Sequence, residues 1–171
     1  GDGAVITTSN GGLTWNRDTT SIPERLFDLD FASPTTGYIV GRNGYVGKST
    51  NGGSSFTTQT SGTGEDLFAV SFSSTSDGWC VGADGGSGGA IVHTPDGGTT
   101  WNAETTTSSG DLFGVFAINA DSAVAVGAGG LILTTYDGGT TWNASTSGTT
   151  EDLCDIECED NVNGRAVGAG G

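Results

Sequence analysis

The chain has no methionine, three prolines, one histidine and five basic residues set against twenty acidic ones. A net charge of -15 repels nucleic acid phosphates and anionic lipid, so nucleic acid binding is excluded. No apolar run reaches the roughly 18 residues of a membrane-spanning helix. The lone His93 has no cysteine or histidine at zinc-type spacing, and no nucleophile elbow or phosphate loop occurs, so zinc, elbow-type hydrolase and nucleotide chemistry are not expected. Three cysteines, Cys80, Cys154 and Cys158, do not make a disulfide framework and read as small buried hydrophobes, the alternatives being a bridge through Cys80 or a link between chains. Lys48 is the only lysine, and such an acid-rich surface suits either a salt-adapted source or an acidic secreted protein. The chain starts without Met and shows no signal peptide, which suggests a mature or excised form. With the glycosylation pattern Asn143-Ala144-Ser145, this points to an extracellular or cell-surface location.

Glycine is abundant, with 32 residues, and it falls in an ordered pattern. One turn is written four times: TSNGGLTW from Thr8, STNGGSSF from Ser49, TPDGGTTW from Thr94 and TYDGGTTW from Thr135. In each, a hydroxyl precedes Asn10, Asn51, Asp96 or Asp137. That side chain can bond forward to the backbone, and the two glycines that follow accept positive φ without steric cost. The turn closes a tight β-hairpin, and the aromatic that ends it (Trp15, Phe56, Trp101 or Trp142) is expected in the core.

A Val-Gly pair precedes each turn, or is expected to across the joined ends: Val40-Gly41, Val81-Gly82, Val126-Gly127 and Val167-Gly168. A fresh apolar start follows at Leu26, Leu67, Leu112 and Leu153, in steps of 41, 45 and 41 residues. Period-two alternation with four short strands per step signals an all-β propeller of four-stranded antiparallel blades. The first unit reads as strands over 26–31, 38–41, 45–49 and 55–60. The blade units are 26–66, 67–111, 112–152, and 153–171 joined with 1–25, the last blade shared between the N- and C-termini. Three arrangements satisfy this spacing: closure within one chain, half-blades lent to a neighbouring copy, or a piece of a longer array.

Two and four residues beyond each leading Leu stand Asp28 and Asp30, Ala69 and Ser71, Gly114 and Phe116, Asp155 and Glu157. If these side chains face the central channel, Asp28, Asp30, Asp155 and Glu157 meet there, and a Ca2+ ion is the natural counter-charge for such a flexible oxygen set. A second acidic set, Glu65-Asp66, Asp111 and Glu151-Asp152 with Glu24-Arg25 in the fourth place, lies in the loops entering the inner strands, where a partner would dock.

The repeated turn resembles the Asp-box, or BNR repeat, of sialidases and other secreted propellers. The wider pattern, Val-Gly, a Gly-rich link, TTYDGGTTW and SGTTEDL, is similar to the propellers of photosystem II stability and assembly factors. The resemblance implies a structural hairpin placed away from the ligand-binding face, and a binding or scaffold propeller. Sialidase chemistry as that family performs it takes three arginines with a Tyr/Glu pair and an acid, whereas Arg17, Arg25, Arg42 and Arg165 are scattered over the repeat. The expected function is a non-catalytic secreted or cell-surface module for structure or protein interaction. Self-association through the terminal half-blades would make it a homopolymer or filament subunit. The alternative is a carbohydrate-binding or sialidase-like glycosidase propeller using Tyr38, Tyr45, Trp79 and Tyr136 as exposed aromatics.

Overall fold

The computed structural model describes residues 3–17, 22–86, 88–160 and 162–170. Two short strands, β1 (Ile6–Thr7) and β2 (Asn16–Arg17), form a hairpin. Three complete four-stranded antiparallel sheets follow. The first holds β3 (Leu26–Phe31), β4 (Gly37–Gly41), β5 (Val46–Ser49) and β6 (Thr57–Gln59). The second holds β7 (Leu67–Phe72), β8 (Gly78–Asp84), β9 (Gly89–Thr94) and β10 (Asn102–Glu104). The third holds β11 (Leu112–Ala117), β12 (Ala123–Gly127), β13 (Ile132–Thr135) and β14 (Asn143–Ser145). A last pair, β15 (Leu153–Cys158) and β16 (Gly164–Gly168), ends the chain. The all-β, blade-like architecture agrees with the repeat. Among the described residues the two end hairpins are separate two-stranded sheets, with no ladder between β16 and β1. The loop expected to join them involves Gly1, Asp2 and Gly171, outside the described residues.

The repeated turn folds as its residue types dictate. In the third copy the Thr94 hydroxyl donates to Asp96 Oδ1 at 3.0 Å and accepts the Gly98 N–H at 2.7 Å. Asp96 then accepts both the amide and the hydroxyl of Thr100, each at 2.8 Å. Asp137 repeats this with Thr135, Gly139 and Thr141. Asn51 and Asn10 keep the same frame, donating through Nδ2 to Ser55 Oγ and Thr14 Oγ1.

The third and fourth turns dock on the preceding blade. Trp101 meets Tyr38 edge-on at 6.3 Å, and Trp142 meets Trp79 at 5.4 Å. Tyr38 also stacks on Phe72 at 3.7 Å and donates to Gly97 O at 2.9 Å; burial pushes its phenol up to about 12. Trp79 stacks on His93, whose Nε2 lies 3.1 Å from the buried Asp77 carboxylate. His93, in the third strand of its blade, is thus held in the structure by Trp79 and Asp77.

Several core expectations change. Trp101 and Trp142 are buried, but Phe56 is only half-buried and Trp15 is 58 % exposed. The platform residue is Tyr38 in β4 and Trp79 in β8, and the matching second-strand residues are Val124 in β12 and Arg165 in β16, which offer no aromatic face. Cys80 is buried while Cys154 is exposed, and all three thiols are free. Tyr38, Tyr45 and Trp79 are buried, leaving Tyr136 alone of the four aromatics proposed for sugar contact at the surface.

Candidate functional site

The inner strands β3, β7, β11 and β15 share one irregularity that period-two reading does not reveal. Each pairing register shifts after its leading Leu, between Leu26/Asp28, Leu67/Ala69, Leu112/Gly114 and Leu153/Asp155. The bulged residue is Phe27, Phe68, Phe113 or Cys154. A β-bulge re-aims side chains and bends the strand. Here it sets a row of half-buried phenylalanines along the leading ends of successive inner strands: Phe27 and Phe68 meet edge-on at 5.3 Å, and Phe68 and Phe113 at 6.0 Å. The Arg25 guanidinium lies 5.2 Å over the Phe27 ring.

Beyond the bulge, Asp28, Asp30, Asp155 and Glu157 do line one channel of about 370 Å3 together with Ser71 and Phe116. Two of the four acids accept backbone amides of the neighbouring inner strand. Asp28 Oδ2 accepts the Val70 amide at 2.9 Å, and Asp30 Oδ2 accepts the Phe72 amide at 2.7 Å. Ser71 Oγ accepts the Ala117 amide at 3.0 Å. These side chains tie β3 to β7 and β7 to β11. Burial raises the Asp28 carboxyl above its ordinary value, the two amides it accepts oppose this, and Asp30 and Asp155 add to the rise. Among the described residues no group of three or more His, Cys, Asp or Glu side chains is placed to hold a metal ion, so the Ca2+ expectation finds no coordinating set.

The loop acids have an equally local task. Asp66 accepts the Asn43 amide at 2.9 Å, Asp111 that of Asp84 at 2.8 Å, and Asp152 that of Gly129 at 2.9 Å. In each case the residue before an inner strand caps the hairpin turn of the preceding blade, where φ becomes positive at Asn43 and Gly129. Five of the twenty acids, Asp28, Asp30, Asp66, Asp111 and Asp152, are thus used in inter-blade wiring. Glu65 and Glu151, each one residue before these acids at 66 and 152, are exposed.

Two turn acids make a testable pH dependence. Asp96 is held below the ordinary carboxylate value of 3.8, first by the Thr100 amide and then by its hydroxyl; Asp137 is lowered by the Thr141 hydroxyl and then its amide. Groups lowered on folding stabilise fully above their unfolded value, and this contribution is lost as pH falls through the folded one. An Asp96→Asn/Asp137→Asn variant, whose new residues match those native at positions 51 and 10, should lose less stability than the parent between about pH 5 and pH 2. Denaturant midpoints across that range check this, and parallel curves would refute it.

Over residues 7–171 the sequence matches the family described as photosynthesis system II assembly factor YCF48. The chain belongs to that family. A solved YCF48 bound to a D1 peptide superposes with a TM-score of 0.69 at 23 % identity, over 85 % of this chain and 47 % of that one. YCF48 from Cyanidioschyzon merolae gives 0.68 at 23 % identity, over 85 % and 51 %. The chain thus spans about half the length of the YCF48 structures it matches. A GH74 enzyme of Niastella koreensis gives 0.75 at 21 % identity, over 97 % of this chain and 32 % of that one. At such identities these likenesses show the propeller-type fold alone. No curated protein matches the chain. Membership of the YCF48 family overturns the expectation of a secreted structural subunit or filament protein: the family is one of assembly factors.

Proposed function

We propose that this YCF48-family chain is a protein-binding propeller module without catalytic chemistry of its own, and that it takes an extended segment of a partner protein across the leading ends of its inner strands. The observation that carries this reading is the row Phe27, Phe68 and Phe113, half-buried on three successive strands. Rigid aromatic surface presented on strands is what a peptide-binding hot spot requires. A YCF48 solved with a D1 peptide supports a partner of this class. The non-catalytic part is supported by the carboxylates themselves: Asp28, Asp30, Asp66, Asp111 and Asp152 are spent on backbone amides. In the same reading the fourth blade is shared between the chain ends, with β15–β16 as its inner half and β1–β2 as its outer half.

The test is a titration with a D1 peptide, read by intrinsic fluorescence or calorimetry. Saturable binding is expected, weakened about tenfold or more by Phe68→Ala while the circular dichroism spectrum is retained. Equal binding of a scrambled peptide, or an unchanged affinity in Phe68→Ala, would sink the proposal.

A further inference from the structure

The phenylalanine row adjoins the channel. Phe27 is followed at once by Asp28 and Phe68 by Ala69, both of which line it. At the same place in β15, Cys154 is followed by Asp155, another lining residue. The channel thus has four carboxylates in its wall, Asp28, Asp30, Asp155 and Glu157, and no basic residue lines it among the described residues. Neighbouring like charges make ionisation costlier, and Asp30 and Asp155 both add to the rise that burial imposes on Asp28. The bases are engaged elsewhere: Arg25 lies over the Phe27 ring, Lys48 donates to Gly97 O, and Arg165 pairs with Glu159. Cys154 stands where the other inner strands carry phenylalanine, so β15 adds no ring to the row. Its two acids are exposed, whereas Asp28 and Asp30 are half-buried.

We infer that the segment taken on the phenylalanine row is a cationic one, in which a lysine or arginine beside the apolar anchor lays its stem along the rings and sets its charged head at Asp155 and Glu157. This deepens the peptide-binding reading above and rests on it. Lysine and arginine suit both surfaces, because they bury an apolar stem while the head stays among polar groups. The faces of the rings attract the same cation. An acidic segment would instead meet the channel carboxylates and a chain of net charge -15, a field that also steers cationic segments toward the protein. A neutral apolar segment would cover the row but leave the channel charge uncompensated. A divalent metal ion fits less well than an ammonium group. Ca2+ takes six to eight oxygens. Both oxygens of Asp28, and one each of Asp30 and Asp155, already accept backbone amides. A lysine head has only three N–H donors to satisfy.

The test is a series of capped peptides of about ten residues, apolar at alternate positions, whose central residue is lysine, arginine, norleucine or glutamate, titrated at about 50 mM salt where charge is little screened. The lysine and arginine peptides are expected to bind about tenfold or more tighter than the norleucine peptide, and the glutamate peptide weaker than it. Asp155→Asn/Glu157→Gln should cut the lysine-over-norleucine ratio to about twofold or less. The asparagine keeps the oxygen that accepts the Ile156 amide, and circular dichroism verifies that the variant is folded. Equal affinities of the lysine and norleucine peptides, or a ratio that survives the double substitution in folded protein, would overturn the inference. Peptides that bind whatever their central residue, yet are weakened by Phe68→Ala, leave the row a docking face and remove only its charge preference. A series in which no peptide binds, the lysine one included, removes the peptide-binding reading as well.

Discussion

Trp79→Ala is expected to destabilise the chain by about 3–5 kcal/mol, the cost of deleting a large buried aromatic and leaving a cavity. Trp79 is fully buried in β8, stacked on His93 at 3.8 Å and set edge-on to Trp142 at 5.4 Å. Its ring also fills the space beneath the fourth turn, since a side-chain carbon placed at Gly139 would lie 2.7 Å from it. Removal therefore loosens two blades and uncovers the His93–Asp77 pair. Against a typical domain stability of roughly 5–15 kcal/mol, this is a large fraction. The indole nitrogen of Trp79 has no hydrogen-bond partner. Trp79→Phe, which keeps an aromatic ring while giving up that nitrogen and part of the indole's volume, should lose clearly less than Trp79→Ala. Urea unfolding of the two variants decides the matter, and equal losses would mean that packing is not what Trp79 supplies.

Gly82→Ala should cost about 1–3 kcal/mol or more, in the range of overpacking. The reason is proximity rather than φ: an added Cβ would sit 1.9 Å from the backbone oxygen of Asp66, which cannot swing away because it accepts the Ala83 amide at 2.8 Å. Gly41, Gly127 and Gly168 stand in the same relation to Arg25, Asp111 and Asp152. Gly64 has open space and no positive φ, so Gly64→Ala is the matched control and should be neutral or stabilising by up to about 1 kcal/mol. Similar melting curves for the two variants would refute the steric account of the Val-Gly repeat.

The repeat made most of the fold legible. Turn, strand and blade boundaries follow from residue types that act over a few positions, and the hydroxyl–Asx–Gly–Gly frame closes through bonds spanning at most four residues. The candidate site was less legible. The acids at 28, 30, 155 and 157 could be placed toward one channel from spacing, but their partners could not, because the amides of Val70 and Phe72 lie 42 positions from the acids that accept them. The phenylalanine row was missed because a bulge after the leading Leu breaks strict alternation, and its only sequence signal is the recurrence of Phe at 27, 68 and 113. Trp15 and Cys154 were misjudged for a related reason: burial at a repeat position depends on what the adjacent blade offers, and Val124, Arg165 and the open seam offer little.

What the sequence determined by itself is the local grammar: where chains turn, which glycines admit positive φ, and how long a blade is. Those outcomes rest on sterics and short-range hydrogen bonds carried by a few adjacent residues. Only the tertiary structure decided which carboxylates accept backbone amides and which aromatics are spent in the core. Those depend on the contact between one blade and the next, whose energies belong to residues some forty positions apart and appear only once the sheets are stacked.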